Sequence, residues 1–183
     1  MKSLSKYIAV VFGVIALSIA TVNAQSFSPR SNNRSIEDQV RKKILMLPRY
    51  EIFDAIKHEV NGDTVTLTGK VRNATNRKAA ERSVARIPGV SRVVNEIEIL
   101  PVGGLDESIR VRLYRTLANS GGLSRYLWPN APSVRLIVDR GHVTLEGYVA
   151  NRGDYNTMNI LANGVSGVFS VTNNLVIDRE RLR

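Results

Sequence analysis

Few residues of this chain have types and spacing suited to chemistry. There is no cysteine and only two histidines, His58 and His142, so thiol catalysis and zinc–thiolate sites are excluded. Neither histidine has carboxylates at ligand spacing, which leaves no metal site. Gly164-Val165-Ser166-Gly167 invites comparison with a hydrolase elbow, but that motif needs a glycine two residues on either side of the serine. No catalytic residue, metal ligand or cofactor site is assigned. A different chemistry remains in Arg125, Tyr126, Leu127 and Trp128, with Arg112 and Arg115 one element earlier. Tryptophan and tyrosine favour the headgroup zone of a bilayer, and each basic residue near an anionic surface adds ~1 kcal/mol. The set suits contact with a membrane or another partner. The alternative is that Leu127 and Trp128 close the open end of a small core.

The elements that must position these residues follow from a duplication. Val65-Thr66-Leu67-Thr68-Gly69-Lys70-Val71 recurs as Val143-Thr144-Leu145-Glu146-Gly147-Tyr148-Val149, and the same offset aligns Asn73 with Asn151, Gly89 with Gly167 and Asn95 with Asn173. Self-similarity at a fixed offset marks two copies of one folding unit. In the first, Ile36, Val40, Ile44 and Leu47 recur at helical spacing, and Ser35 with Asp38 resembles a capping box. Ile52 to Val60 and Val65 to Val71 alternate as hairpin strands around Asn61-Gly62-Asp63. A helix is expected from Asn76 to Ile87 and a third strand from Val93 to Ile99. The second copy repeats this order, with helices around Ile109, Leu113 and Leu117 and from Asp154 to Val165. Five extra residues precede its first strand. The expected fold is α+β: two tandem αββαβ modules, each a three-stranded mixed sheet with two helices on one face. A right-handed crossover makes the second and third strands parallel. The repeated glycine is expected to permit close packing by a helix. Each unit is near the lower size limit of independent stability, so the two are expected to pack together.

Lys2 and Lys6 precede an apolar run, Ile8 to Val22, ending in Val22-Asn23-Ala24, the pattern of a cleaved export signal. The run is shorter than the ~20 residues of a spanning helix, and no cysteine follows it for lipid attachment. Residues 1–24 are read as the signal, 25–34 as a flexible lead-in, 35–100 and 105–177 as the two domains, 101–104 as a linker and 178–183 as a charged tail. Removing Lys2 and Lys6 from the 26 basic residues leaves 24 against 16 acidic ones, a net charge of +8. Anionic partners are favoured, although the charge is equally compatible with solvated helix faces. Nucleic acid is not the expected partner, because it conflicts with export and the first unit's strands lack an aromatic stacking platform.

With the repeated VTLxGxV, the helix after it, the turns at Gly89-Val90 and Gly167-Val168, and the strands holding Asn95 and Asn173, the chain resembles the BON domain family, named for bacterial osmotically inducible and nodulation proteins. The resemblance implies an exported or membrane-associated module that binds phospholipid or protein without catalysis. The longer segment before the second copy's first strand departs from the family pattern.

Aligning the copies exposes an asymmetry. On the free sheet face Glu59, Lys70 and Glu98 of the first face Ile137, Tyr148 and Val176 of the second, while Ile160 and Phe169 replace Arg82 and Ser91. Clustered apolar replacements mark an interface, either between the two units or with an outside partner. The expected function is a non-catalytic envelope module in the periplasm or at the outer-membrane periphery, associating peripherally with anionic phospholipid or envelope proteins. The alternative is a periplasmic, stress-related, chaperone-like interaction module.

Overall fold

The computed structural model describes residues 29–129 and 131–178. The expected signal segment, residues 25–28 of the lead-in and all of the tail except Asp178 lie outside the described residues. The first module comprises α1 (Pro29–Leu45), β1 (Ala55–Asn61), β2 (Thr64–Val71), α2 (Ala74–Val84), β3 (Arg92–Asn95) and β4 (Glu98–Ile99). The second comprises α3 (Gly104–Ala118), a 3-10 turn (Leu123–Tyr126), β5 (Val134–Asp139), β6 (His142–Val149), α4 (Arg152–Asn163) and β7 (Ser170–Ile177). Each hairpin is antiparallel, and each crossover strand lies parallel to the central one. The architecture is the expected α+β pair of mixed sheets. The third strand of the first sheet is interrupted, however, so that sheet contains four short strands.

Residues 29–34 are helical, not a flexible lead-in. Proline suits a helix start because its φ is preset and its missing N–H has no intrahelical partner there. Ser35 therefore lies inside α1, where its carbonyl accepts from Gln39 Nε2. The caps that do form are Asn73 and Asn151, whose side chains accept from Thr75 N and Asp154 N, each at 2.8 Å.

Alternation carries one apolar face of each sheet inward. Val65, Leu67 and Val71 meet Ile36, Val40, Ala80 and Val84 in the first core. Leu136, Val143, Leu145 and Val149 meet Ile109, Leu113, Met158 and Ala162 in the second. Gly69 and Gly147 have φ of +110° and +118°. A Cβ at either would overlap a carbonyl oxygen of the neighbouring strand, that of Ala55 or Ser133. The repeated glycine thus permits close strand–strand approach, correcting the expectation of helix packing. Asn95 and Asn173 serve the sheet edge, their Oδ1 atoms accepting from Ile97 N and Leu175 N.

The modules interlock through a segment that the alternation pattern misplaces. β1 begins at Ala55, not Ile52, because Asp54 N donates to Glu51 O in a turn. Ile52 is consequently delivered into the core of the second module, with Phe53 packed against it. Its carbonyl accepts from Leu136 N at 2.9 Å on the outer edge of β5. Beside it, Arg135 donates to Glu51 O at 2.8 Å and stacks 4.1 Å from the Tyr50 ring. The outer sheet faces then meet around Ala55, Leu100 and Ile137, flanked by Lys57–Glu146 at 2.8 Å, Lys70–Asp139 and Arg72–Glu107 at 3.0 Å.

Candidate functional site

The residues singled out in the insert separate into a base and a tip. The 3-10 turn places Tyr126 and Leu127 inward, 1% and 2% exposed, and leaves the next residue, Trp128, 66% exposed. Tyr126 and Leu127 therefore belong to the core, Leu127 also lining the cleft toward the first module. A hydroxyl buried at Tyr126 needs partners, and it has three. It donates to Asp154 Oδ2, and it accepts from Ala150 N at 3.0 Å and from Arg125 Nη2 at 2.8 Å.

Asp154 closes this network. Its carboxylate also accepts from Arg125 Nη2 and from Asn151 Nδ2 at 2.9 Å. Burial alone would raise its pKa, but the hydrogen bonds from Tyr126 and Arg125 outweigh that effect and hold it below the ordinary carboxylate value. Burial, followed by the bond to Asp154, pushes the Tyr126 phenol up. The insert thereby becomes a fixed platform pinned to the N-terminus of α4.

Alongside the platform, Val111, Arg112 and Arg115 lie on the exposed side of α3, opposite the buried Ile109, Leu113 and Leu117. Val111 is 40% exposed. Arg112 Nε donates to Ser166 O at 3.1 Å, which fixes one edge of its guanidinium. The Arg115 guanidinium has no hydrogen-bond or ion-pair partner among the described residues. Arg115, Val111, Leu127 and Pro129 share one cavity with Tyr50, Ile52 and Phe53 of the first module.

The second expected set does not form one patch. Ile137 is 4% exposed and belongs to the contact between modules. Tyr148 is half-buried on the same outer sheet face, where Val176 is exposed. Ile160 projects from α4. Phe169 lies in the turn before β7, edge-on to His142 with ring centroids 6.0 Å apart, and covers Gly141. His58 is half-buried on the inward face of β1, and burial lowers its pKa. Among the described residues no group of histidines and acids forms a metal cluster.

Sequence reasoning missed Asp106 and Arg110, both buried. Asp106 accepts from Arg140 N and Gly141 N, each at 2.8 Å. These two residues have φ of +51° and +80°, the mirror-image hairpin turn. Arg110 Nη2 donates to Val138 O at 2.7 Å. Their spacing of one helical turn beside Ile109 was the available signal, but helical periodicity assigns such charges to solvent.

The chain thus consists of two interlocked α+β units of one repeated design. Both units match the BON domain model, over residues 32–101 and 106–179, and the chain belongs to the BON domain family. The family is generally non-catalytic, and its domains are envelope-associated binding modules. Among solved structures, the chain is similar to CdsD, a structural protein of the type III secretion system of Chlamydia trachomatis. The identity is 13% across 81% of this chain and 95% of that one, with a TM-score of 0.31. A structure of the C-terminal domain of CdsD gives 14%, 77%, 96% and 0.32. No curated protein matches the chain.

Proposed function

We propose that this protein is a non-catalytic module of the cell envelope whose second domain docks peripherally on anionic phospholipid surfaces. The observation that carries the reading is the exposure of Trp128 directly after the buried Tyr126 and Leu127. With the backbone before it pinned, the indole enters the headgroup zone, where tryptophan is favoured, at the cost of its own rotamer freedom alone. Arg115 supplies positive charge beside Leu127 and Pro129, the residues flanking Trp128, and the free edge of Arg112 adds to it from the preceding turn of α3, while Arg125 is partly neutralised by Asp154. Burying the indole is worth ~2 kcal/mol, and each available arginine adds ~1 kcal/mol. Such attachment is millimolar in scale, reversible and sensitive to salt. No helix among the described residues is long and apolar enough to cross a membrane, which accords with peripheral contact.

The chain contains a single tryptophan, so its fluorescence reports this site alone. Residues 25–183 are expected to float with vesicles containing phosphatidylglycerol at low salt, with a blue shift of Trp128 emission, and to be released as salt rises. Trp128→Ala is expected to weaken binding about thirtyfold, the fold-change equivalent of ~2 kcal/mol. An unshifted emission spectrum in the presence of acidic vesicles would defeat this reading. Retention by an envelope protein instead would favour the exposed Ile160 and Val176 as contacts.

A further inference from the structure

We infer that the cleft between the modules is a slot for one acyl chain of an anionic phospholipid, complete only when both modules are in place. The inference rests on the membrane reading above and adds to it a ligand and a role for the first domain. The cleft is an open groove of about 350 Å³, at the small end of the ~300–1,000 Å³ typical of ligand pockets. Ile52 and Phe53 of the first module form one wall, and Val111, Tyr114, Leu127 and Pro129 of the second form the others. Ile52 and Leu127 are buried and make the floor, while the exposed Val111 marks the mouth.

Charge at the mouth selects the headgroup. Arg115 lines the cleft without a partner among the described residues, whereas the carboxylate of Glu51 is held by Arg72 Nη1 at 2.9 Å. Trp128 falls between two lining residues, Leu127 and Pro129. A phosphate beside Arg115 and an indole at headgroup depth therefore set an alkyl chain at the opening. A peptide occupant would bring backbone N–H and C=O groups that need partners when buried. The side chains of Ile52, Phe53, Val111, Leu127 and Pro129 offer none, the polar groups of the lining being confined to Tyr50, Glu51, Tyr114 and Arg115, and an alkyl chain requires none.

The test titrates residues 25–183 with a homologous series of single-chain lysophosphatidylglycerols below their micelle concentrations, following Trp128 emission and heat of binding. Affinity is expected to rise about fourfold per added methylene until the slot is full. Val111→Phe, which fills the mouth from an exposed helix position, is expected to abolish that rise while leaving flotation with acidic vesicles. Phe53→Ala, in the other module, is expected to reduce the rise. Equal affinity for glycerol 3-phosphate and the longest lipid, or an unchanged slope in Val111→Phe, would overturn the slot. Chain-length-dependent binding of monomers without vesicle binding would retain the slot and overturn membrane docking. Vesicle binding with no dependence on chain length would do the reverse.

Discussion

The same backbone N–H and the same helix position are tied together by different chemistry in the two copies. In the first module Arg72 N donates to Asp54 Oδ1 at 2.7 Å, and Asn76 Nδ2 on α2 donates to the other oxygen of that carboxylate at 3.0 Å. In the second, the aligned Ala150 N donates to the Tyr126 hydroxyl, which in turn meets Asp154 on α4, the residue aligned with Asn76. The acid has changed sides: it precedes the first strand in one copy and sits on the helix in the other. A tyrosine reaches farther than an aspartate, so the second solution accommodates the longer segment that carries Trp128. The first copy uses its shorter segment differently, turning at Glu51–Asp54 so that Ile52 enters the core of its neighbour. One scaffold thereby supplies both an exposed tip and the strut beside it.

This division of labour is most severely tested at Ile52. Ile52→Ala removes a side chain that belongs to the first module in sequence and to the second in packing, and large-to-small core changes of this kind cost ~2–5 kcal/mol. Most of the loss is expected in the second module. Urea unfolding followed residue by residue by NMR should show α3, β5 and α4 destabilised more than α1 and α2. Greater loss in the first module would break the comparison. Tyr126→Phe comes next. It removes the hydroxyl that donates to Asp154 and accepts from Ala150 N, and a hydrogen bond to a charged group is worth ~1.5–3 kcal/mol. The Trp128 platform should loosen with it, read as increased quenching of Trp128 by acrylamide. Stability unchanged in this variant would mean that the tyrosine ring alone holds the insert.

The repeat made the architecture legible, because strand alternation and helical spacing are local signals and occur twice at one offset. Two kinds of feature escaped. The first is a change of partner without a change of pattern: Ile52 continues the alternation of Val60 backwards, yet the turn ending at Asp54 sends it to a different core. The second is the direction of adjacent aromatic side chains. Tyr126, Leu127 and Trp128 read as one aromatic cluster, but the 3-10 turn buries two and exposes the third. The arginines of α3 divide in the same way, with Arg110 buried and Arg115 exposed one turn later. Asn73 and Asn151 were visible as identities, and their role emerged only with the helix starts they cap.

The smallest expected effect concerns how firmly the two modules are held together, and its sign follows from two shifts at one ion pair. The hydrogen bond from Lys70 is the largest influence on Asp139 and holds its pKa below the ordinary value, while the same bond holds Lys70 above its own. A depressed carboxylate contributes stability above its unfolded pKa and loses it as pH falls through the folded one. A raised lysine contributes below its unfolded pKa and loses it as pH climbs through the folded one. The clamp is therefore strongest between about pH 4 and pH 10, the ordinary values of the two groups. Lys70 is about one-third exposed and also reaches Glu98 at 3.3 Å, so solvent screening keeps its worth below ~1 kcal/mol. Asp139→Asn should remove the pair's contribution to acid sensitivity while sparing the apolar contact of Ala55, Leu100 and Ile137. Comparing module orientation from residual dipolar couplings at neutral and acidic pH is the measurement. Wild-type modules that loosen below pH 4 no more than the variant would show that apolar packing and Ile52 hold the junction without help from the charge.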